Sequence, residues 1–101
     1  MIAISVKENN KKSPLELCFG KSEYFFLYDP VKKISSFIIN PGKIGGKNSG
    51  KKAAAYLVKS GVKTVLSSNF GVTVKKFFDK NKVQQKQLIK KPTPIATHIA
   101  I

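Results

Sequence analysis

The chain has no arginine and no tryptophan, and only one cysteine, one histidine and five carboxylates in 101 residues. Each shortage excludes something. A single cysteine, Cys18, forms no internal disulfide and gives no secretory disulfide framework. The acids Glu8, Glu16, Glu23, Asp29 and Asp79 are spread along the chain, and none forms a pair at acid/base spacing. A two-metal nuclease needs several converging acids, which are not there. One Cys and one His cannot complete a tetrahedral metal site. No Walker loop, G-x-G-x-x-G or H-E-x-x-H string is present, and Gly42–Ser49 has the wrong spacing for a phosphate loop. The apolar runs fall far short of the roughly 18 residues a membrane helix needs. The apolar start, Met1–Val6, lacks a basic flank and a small-residue cleavage site, so no signal peptide and a cytoplasmic address are expected.

What is abundant is lysine. All 19 basic residues are Lys, for a net charge of +14. Such a balance favours an acidic partner: nucleic acid, an anionic membrane or an anionic cluster. Arginine is the usual reader of guanine and of phosphate in two-pronged contacts, so its absence weakens the nucleic-acid reading. The lysines are scattered rather than gathered in a stripe. A solvated surface set by residue-usage bias explains them equally well.

The pattern of the chain predicts one α/β domain over residues 1–91 and an irregular tail over 92–101. Ile2, Ile4 and Val6 alternate with Ala3 and Ser5, a strand pattern. Tyr24–Tyr28 is a dense aromatic run, read as a buried strand. Asp29–Lys32 is turn chemistry, and Ile34–Ile39 returns antiparallel as a hairpin. Pro41–Gly50 is a glycine-rich loop. Ala53, Ala54, Leu57 and Val58 then mark a helix face, with Gly61 as its stop. Val62–Ser67 is a strand, Ser68–Gly71 a turn, and Val74, Phe77 and Phe78 mark a second helix. Val83–Ile89 is a weaker strand. A shift of 21 residues carries Gly50 onto Gly71 and Val62 onto Val83. This echo suggests one glycine-helix-turn-strand unit used twice. The expected sheet is mixed, its parallel strands joined by right-handed crossovers.

Two features offer chemistry. Cys18 is a soft donor for iron, copper or zinc, with Lys12 and Lys21 near it in sequence. A free cysteine is also commonly a small buried hydrophobe. Gly50 and Gly71 each lead a helix, and a helix start presents free N–H groups and positive dipole. In an open α/β sheet such starts gather at the carboxyl ends of the strands. Lys43, Lys47, Lys51 and Lys75 would add charge there. Plain turn geometry explains the same glycines. His98 stands in the terminal segment, where fraying is the ordinary expectation.

The ordered set of signals resembles the nitrogenase accessory-factor family, the dinitrogenase iron-molybdenum cofactor biosynthesis domain, over roughly residues 1 to 90. The resemblance rests on the opening strand, Phe19-Gly20-Lys21, the aromatic strand ending in Asp29, Asn40-Pro41, and the glycine-led helices at Ser49-Gly50 and Asn69-Phe70-Gly71. It implies a three-layer ribonuclease-H-like fold with a mixed five-stranded sheet, without nuclease carboxylates. It implies a non-enzymatic protein that binds iron-molybdenum cofactor, its precursor or a related iron–sulfur cluster. Cluster assembly or acceptor proteins would be its partners, and a monomer or weak homodimer its state. Cys18 is then the candidate metal ligand. Phe19, Gly20, Lys21, Lys47, Ser49, Gly50, Asn69, Phe70 and Gly71 are the candidate cofactor-binding residues. Three departures stand out. Cys18 replaces a frequent His before Phe-Gly. The strand after the second helix, Asn81–Gln85, is polar rather than glycine-led and apolar. A Pro-containing tail stands where a terminal helix is usual.

Overall fold

The computed structural model describes residues 1–10, 12–43 and 49–87. Five strands form one mixed sheet: β1 Ile2–Val6, β2 Tyr24–Asp29, β3 Ile34–Ile39, β4 Thr64–Ser67 and β5 Gln84–Gln87, in the order β3-β2-β1-β4-β5. β1 pairs antiparallel with β2 and parallel with β4. β2 pairs antiparallel with β3, and β5 lies parallel to β4. Two helices, α1 Ser49–Lys59 and α2 Val72–Lys80, supply the crossovers. This order and pairing are those expected for a ribonuclease-H-like α/β fold.

β1 sits centrally because it is apolar on both sides: Ala3, Ile4 and Val6 are fully buried. Period-two alternation divides the core. Ala3, Phe25, Leu27 and Val65 face α1 and α2, meeting Ala53, Ala54, Leu57, Val74 and Phe78. Ile4, Val6, Phe26 and Leu66 face the other way and pack with Leu15, Tyr24, Tyr28 and Phe37. Among the described residues both helices lie on the first face. The terminal segment 92–101 lies outside the described residues, as do Lys47 and His98.

The hairpin turn works as its sequence predicts. The Asp29 carboxylate accepts from the backbone N–H groups of Val31 (3.0 Å) and Lys32 (3.1 Å). Lys33 closes the turn in the left-handed region, at φ 56°.

The 21-residue echo is a structural one. At the end of α1, the N–H of Val62 donates to Leu57 and that of Gly61 to Val58, with Gly61 at φ 90°. At the end of α2, Val83 donates to Phe78 and Lys82 to Asp79, with Lys82 at φ 58°. Both are Schellman caps, with the residue after each cap buried against the helix's last turn. Lys82 therefore holds a conformation that glycine holds in the first copy. The polar sequence of β5 has a matching reason: it is an edge strand.

Candidate functional site

The segment between β1 and β2 is tied down by buried hydroxyls. Ser13 accepts from the N–H groups of Lys7 and Glu8. Ser22 accepts from Val6 N–H at 3.0 Å, and its own proton serves the Val6 or Tyr24 carbonyl. The Ser5 hydroxyl, pointing out of β1, lies 2.7 Å from the Glu16 carbonyl and 2.8 Å from the Ser67 hydroxyl of β4. These contacts fix the chain on both sides of Cys18.

Cys18 then runs beside the β4–α2 junction. Leu17 O accepts from Ser68 N (3.2 Å) and Asn69 N (2.7 Å), and Phe19 N donates to Asn69 O (2.9 Å). The result is a one-residue parallel bridge between Cys18 and Asn69. The Cys18 N–H donates to the Glu16 carboxylate at 3.2 Å, and the Cys18 side chain is half-buried. Phe19–Lys21 forms a single 3-10 turn, closed by Lys21 N to Cys18 O. Lys21 is exposed.

The other two candidate segments meet this turn. A Cβ at Gly50, in the first turn of α1, would lie 2.9 Å from Val74 Cγ2 and 3.8 Å from Gly20 Cα. Gly50 therefore allows α1, α2 and the Cys18 turn to approach each other. Gly71 precedes α2 at φ 76°, ψ 157°, a region essentially confined to glycine. Its N–H donates to the Asn69 side chain at 3.2 Å. Cys18, Gly20, Gly50, Asn69 and Gly71 thus converge at the carboxyl ends of β1 and β4.

Phe19 and Phe70 act beneath this corner. Phe19 is fully buried, 5.1 Å from Phe25, 5.8 Å from Phe70 and 5.5 Å from Phe78 between ring centroids. Its ring anchors the Cys18 turn to the core, and its backbone faces Asn69. Ser49 begins α1.

Electrostatics favour an anion here. Neither helix carries an acid in its first turn. Lys51, Lys52 and Lys75 stand near the two helix starts, all exposed. Cations at that end oppose the helix dipole, the reverse of the stabilising arrangement. Gly71 also has no side chain with which to cap the amides of α2. Among the described residues no group of three His, Cys, Asp or Glu side chains gathers to hold a metal ion.

Asn40 is a site-shaping residue that the pattern of the sequence does not reveal as such. Fully buried, it donates from Nδ2 to Ser22 O (2.9 Å) and accepts from Gly42 N (2.8 Å). It thereby joins the end of β3 to both neighbouring turns. Ser5 and Ser67 were equally hidden. Ser5 reads as the solvent side of an alternating strand, whereas β1 has no solvent side. The available signal was a serine in a strand that turns out to be central.

The fold and this corner define a small α/β domain with a mixed five-stranded sheet. The chain belongs to the family described as "Dinitrogenase iron-molybdenum cofactor", whose profile matches residues 1–99. Solved structures share the fold. The apo form of the orange protein from Desulfovibrio gigas is 19% identical, with a TM-score of 0.82, over 91% of this chain and 78% of that one. A NifB-like protein of the DUF35 family from Thermotoga is 23% identical, with a TM-score of 0.76, over the same shares. No curated protein sequence matches the chain. No helix among the described residues is long and apolar enough to cross a membrane.

Proposed function

We propose that the protein holds a preassembled anionic metal cluster and passes it on, without converting it. The cargo is iron-molybdenum cofactor, a precursor of it or a related iron–sulfur cluster. Cys18 supplies the one soft ligand. Backbone N–H groups at the starts of α1 and α2, with Lys21 and Lys51, supply the anion-binding surroundings. Family membership supports the cargo class. The observation that carries the site is the convergence of Cys18, Gly50 and Gly71 at the carboxyl ends of β1 and β4. A single protein ligand makes the hold weak, as transfer requires. The partners are the proteins that deliver and receive the cluster.

A charge-driven nucleic-acid module is the competing reading. It needs aromatic rings open for base stacking. Phe25 and Phe26 are fully buried, and among the described residues Tyr56 is the one aromatic more than about a third exposed. The structure therefore favours the cluster reading.

The test is anaerobic reconstitution with iron and sulfide, read by metal analysis and visible absorption. The parent chain is expected to take up cluster, and Cys18→Ala to lose it while keeping its circular dichroism. Equal loading of both removes Cys18 from the site. Tight binding of RNA or DNA, falling steeply with salt, would favour the competitor.

A further inference from the structure

The two edges of the sheet are built differently. As far as it is described, β5 covers Gln84–Gln87, all Gln or Lys. Such a polar, charged edge resists pairing with another strand. β3 is six residues long, Ile34-Ser35-Ser36-Phe37-Ile38-Ile39, with no charge, proline or glycine. Among the described residues it carries none of the usual devices that blunt an edge, on a chain of net charge +14. Ile34 and Ile39 are 62% and 66% exposed.

The ladder shows which of its backbone groups are open. Asn40 N donates to Glu23 O at 3.0 Å, and the register pairs Phe25 with Ile38, Leu27 with Ser36 and Asp29 with Ile34. Narrow and wide pairs alternate along an antiparallel ladder. Ile34, Ser36, Ile38 and Asn40 therefore turn their N–H and C=O groups toward β2. Ser35, Phe37 and Ile39 turn theirs outward.

We infer that β3 pairs antiparallel with β3 of a second copy, about a twofold axis at Phe37. That register sets Phe37 opposite Phe37, and Ser35 opposite Ile39, so every outward residue meets another outward residue. Moving the axis to Ser36 would set Ile39 opposite Lys33, which has left the strand conformation. The pairing is isologous and closes on itself, so it makes a dimer rather than a fibre. The second copy suits the edge because β3 is neutral and apolar, and an acidic partner would find no charge there to meet. One six-residue edge per copy buries less than the roughly 1,200 Å² of a stable complex, so the dimer is weak. The charge of each copy opposes it, and salt must strengthen it. The two Cys18 corners then lie at opposite ends of a continuous sheet, so the dimer does not bridge one cluster. This inference stands independently of the proposed cargo.

The test uses the whole chain without added metal. Sedimentation is followed from about 10 μM to about 1 mM, the range a small interface requires. Salt is varied between about 0.05 M and about 1 M. Amide exchange is followed by NMR in the same samples. Association rising with concentration and with salt is expected, with exchange at Ser35, Phe37 and Ile39 slowed about tenfold or more in the dimer. Ser35→Pro removes only an outward-facing N–H, which an edge strand tolerates, and is expected to leave the monomer folded and abolish association. A monomer under all conditions overturns the inference. So does protection of these amides that is independent of concentration, protection that appears elsewhere, or a folded Ser35→Pro chain that associates like its parent.

Discussion

Lys82 holds a backbone conformation that suits glycine, and replacing it should stabilise the protein. At φ 58° a side-chain-bearing residue carries about 1–2 kcal/mol of left-handed strain. Glycine removes that strain but costs roughly 0.5–1 kcal/mol in freedom of the unfolded chain. The net expectation for Lys82→Gly is a gain of about 0.5–1 kcal/mol. For a domain of this size that raises the melting temperature by about 2–8 °C. Lys82 is exposed, so no packing is lost. The substitution also removes one positive charge from a strongly basic chain, which acts in the same direction. Lys82→Ala separates the two effects, since it removes the charge and keeps the strain. The reciprocal change, Gly61→Ala at φ 90°, meets no atom within 4 Å, so it reads the same two contributions with their signs reversed. It should cost about 0.5–1 kcal/mol. Urea unfolding followed by circular dichroism measures all three. A Lys82→Gly chain no more stable than Lys82→Ala would refute the reasoning, and with it the equivalence of the two caps.

Other residues give further expectations. Asn40→Ala leaves the Ser22 carbonyl and the Gly42 N–H without their buried partner. It should destabilise by about 2–4 kcal/mol in urea unfolding, against under about 1 kcal/mol if the network is incidental. Gly71→Ala forces a side chain into a glycine-only region and should cost about 1–3 kcal/mol, while Gly50→Ala is a packing clash that Val74→Ala partly relieves in a double-mutant cycle. Asp29 has its pKa lowered, chiefly by the Lys32 N–H and also by that of Val31, against an opposing contribution from desolvation. Its stabilising effect is present above the ordinary carboxylate pKa and fades as pH falls through the lowered one. Asp29→Asn should flatten the acid limb of a stability–pH curve, and an unchanged limb would count against the turn's role.

Much of the fold was legible in the chain. The helix faces at Ala53–Val58 and Val74–Phe78, the hairpin at Asp29 and the stop at Gly61 rest on local chemistry, which periodicity and turn residues report directly. β5 was harder, because an edge strand is stabilised by its neighbour rather than by its own apolar residues. For the site, the segments around Cys18, Gly50 and Gly71 were visible as separate signals. Their gathering at the carboxyl ends of the strands is what an open α/β sheet leads one to expect. The Cys18–Asn69 bridge was not legible, because it pairs across some fifty residues through backbone bonds that carry no side-chain signature. Phe19 reads from sequence as a binding residue, yet its ring lies wholly in the core. Ser5, Ser22, Ser67 and Asn40 were invisible as supports because polar residues in a short chain read as surface until the sheet order is known.

The most direct measurement is amide chemical-shift mapping of the chain during anaerobic titration with iron-molybdenum cofactor or a synthetic iron–sulfur cluster. Saturable changes concentrated at Cys18–Lys21, Gly50–Lys52 and Asn69–Thr73, with one cluster per chain, are the expected result. Changes spread over the lysine-bearing surface, or centred on residues remote from those three segments, would contradict it.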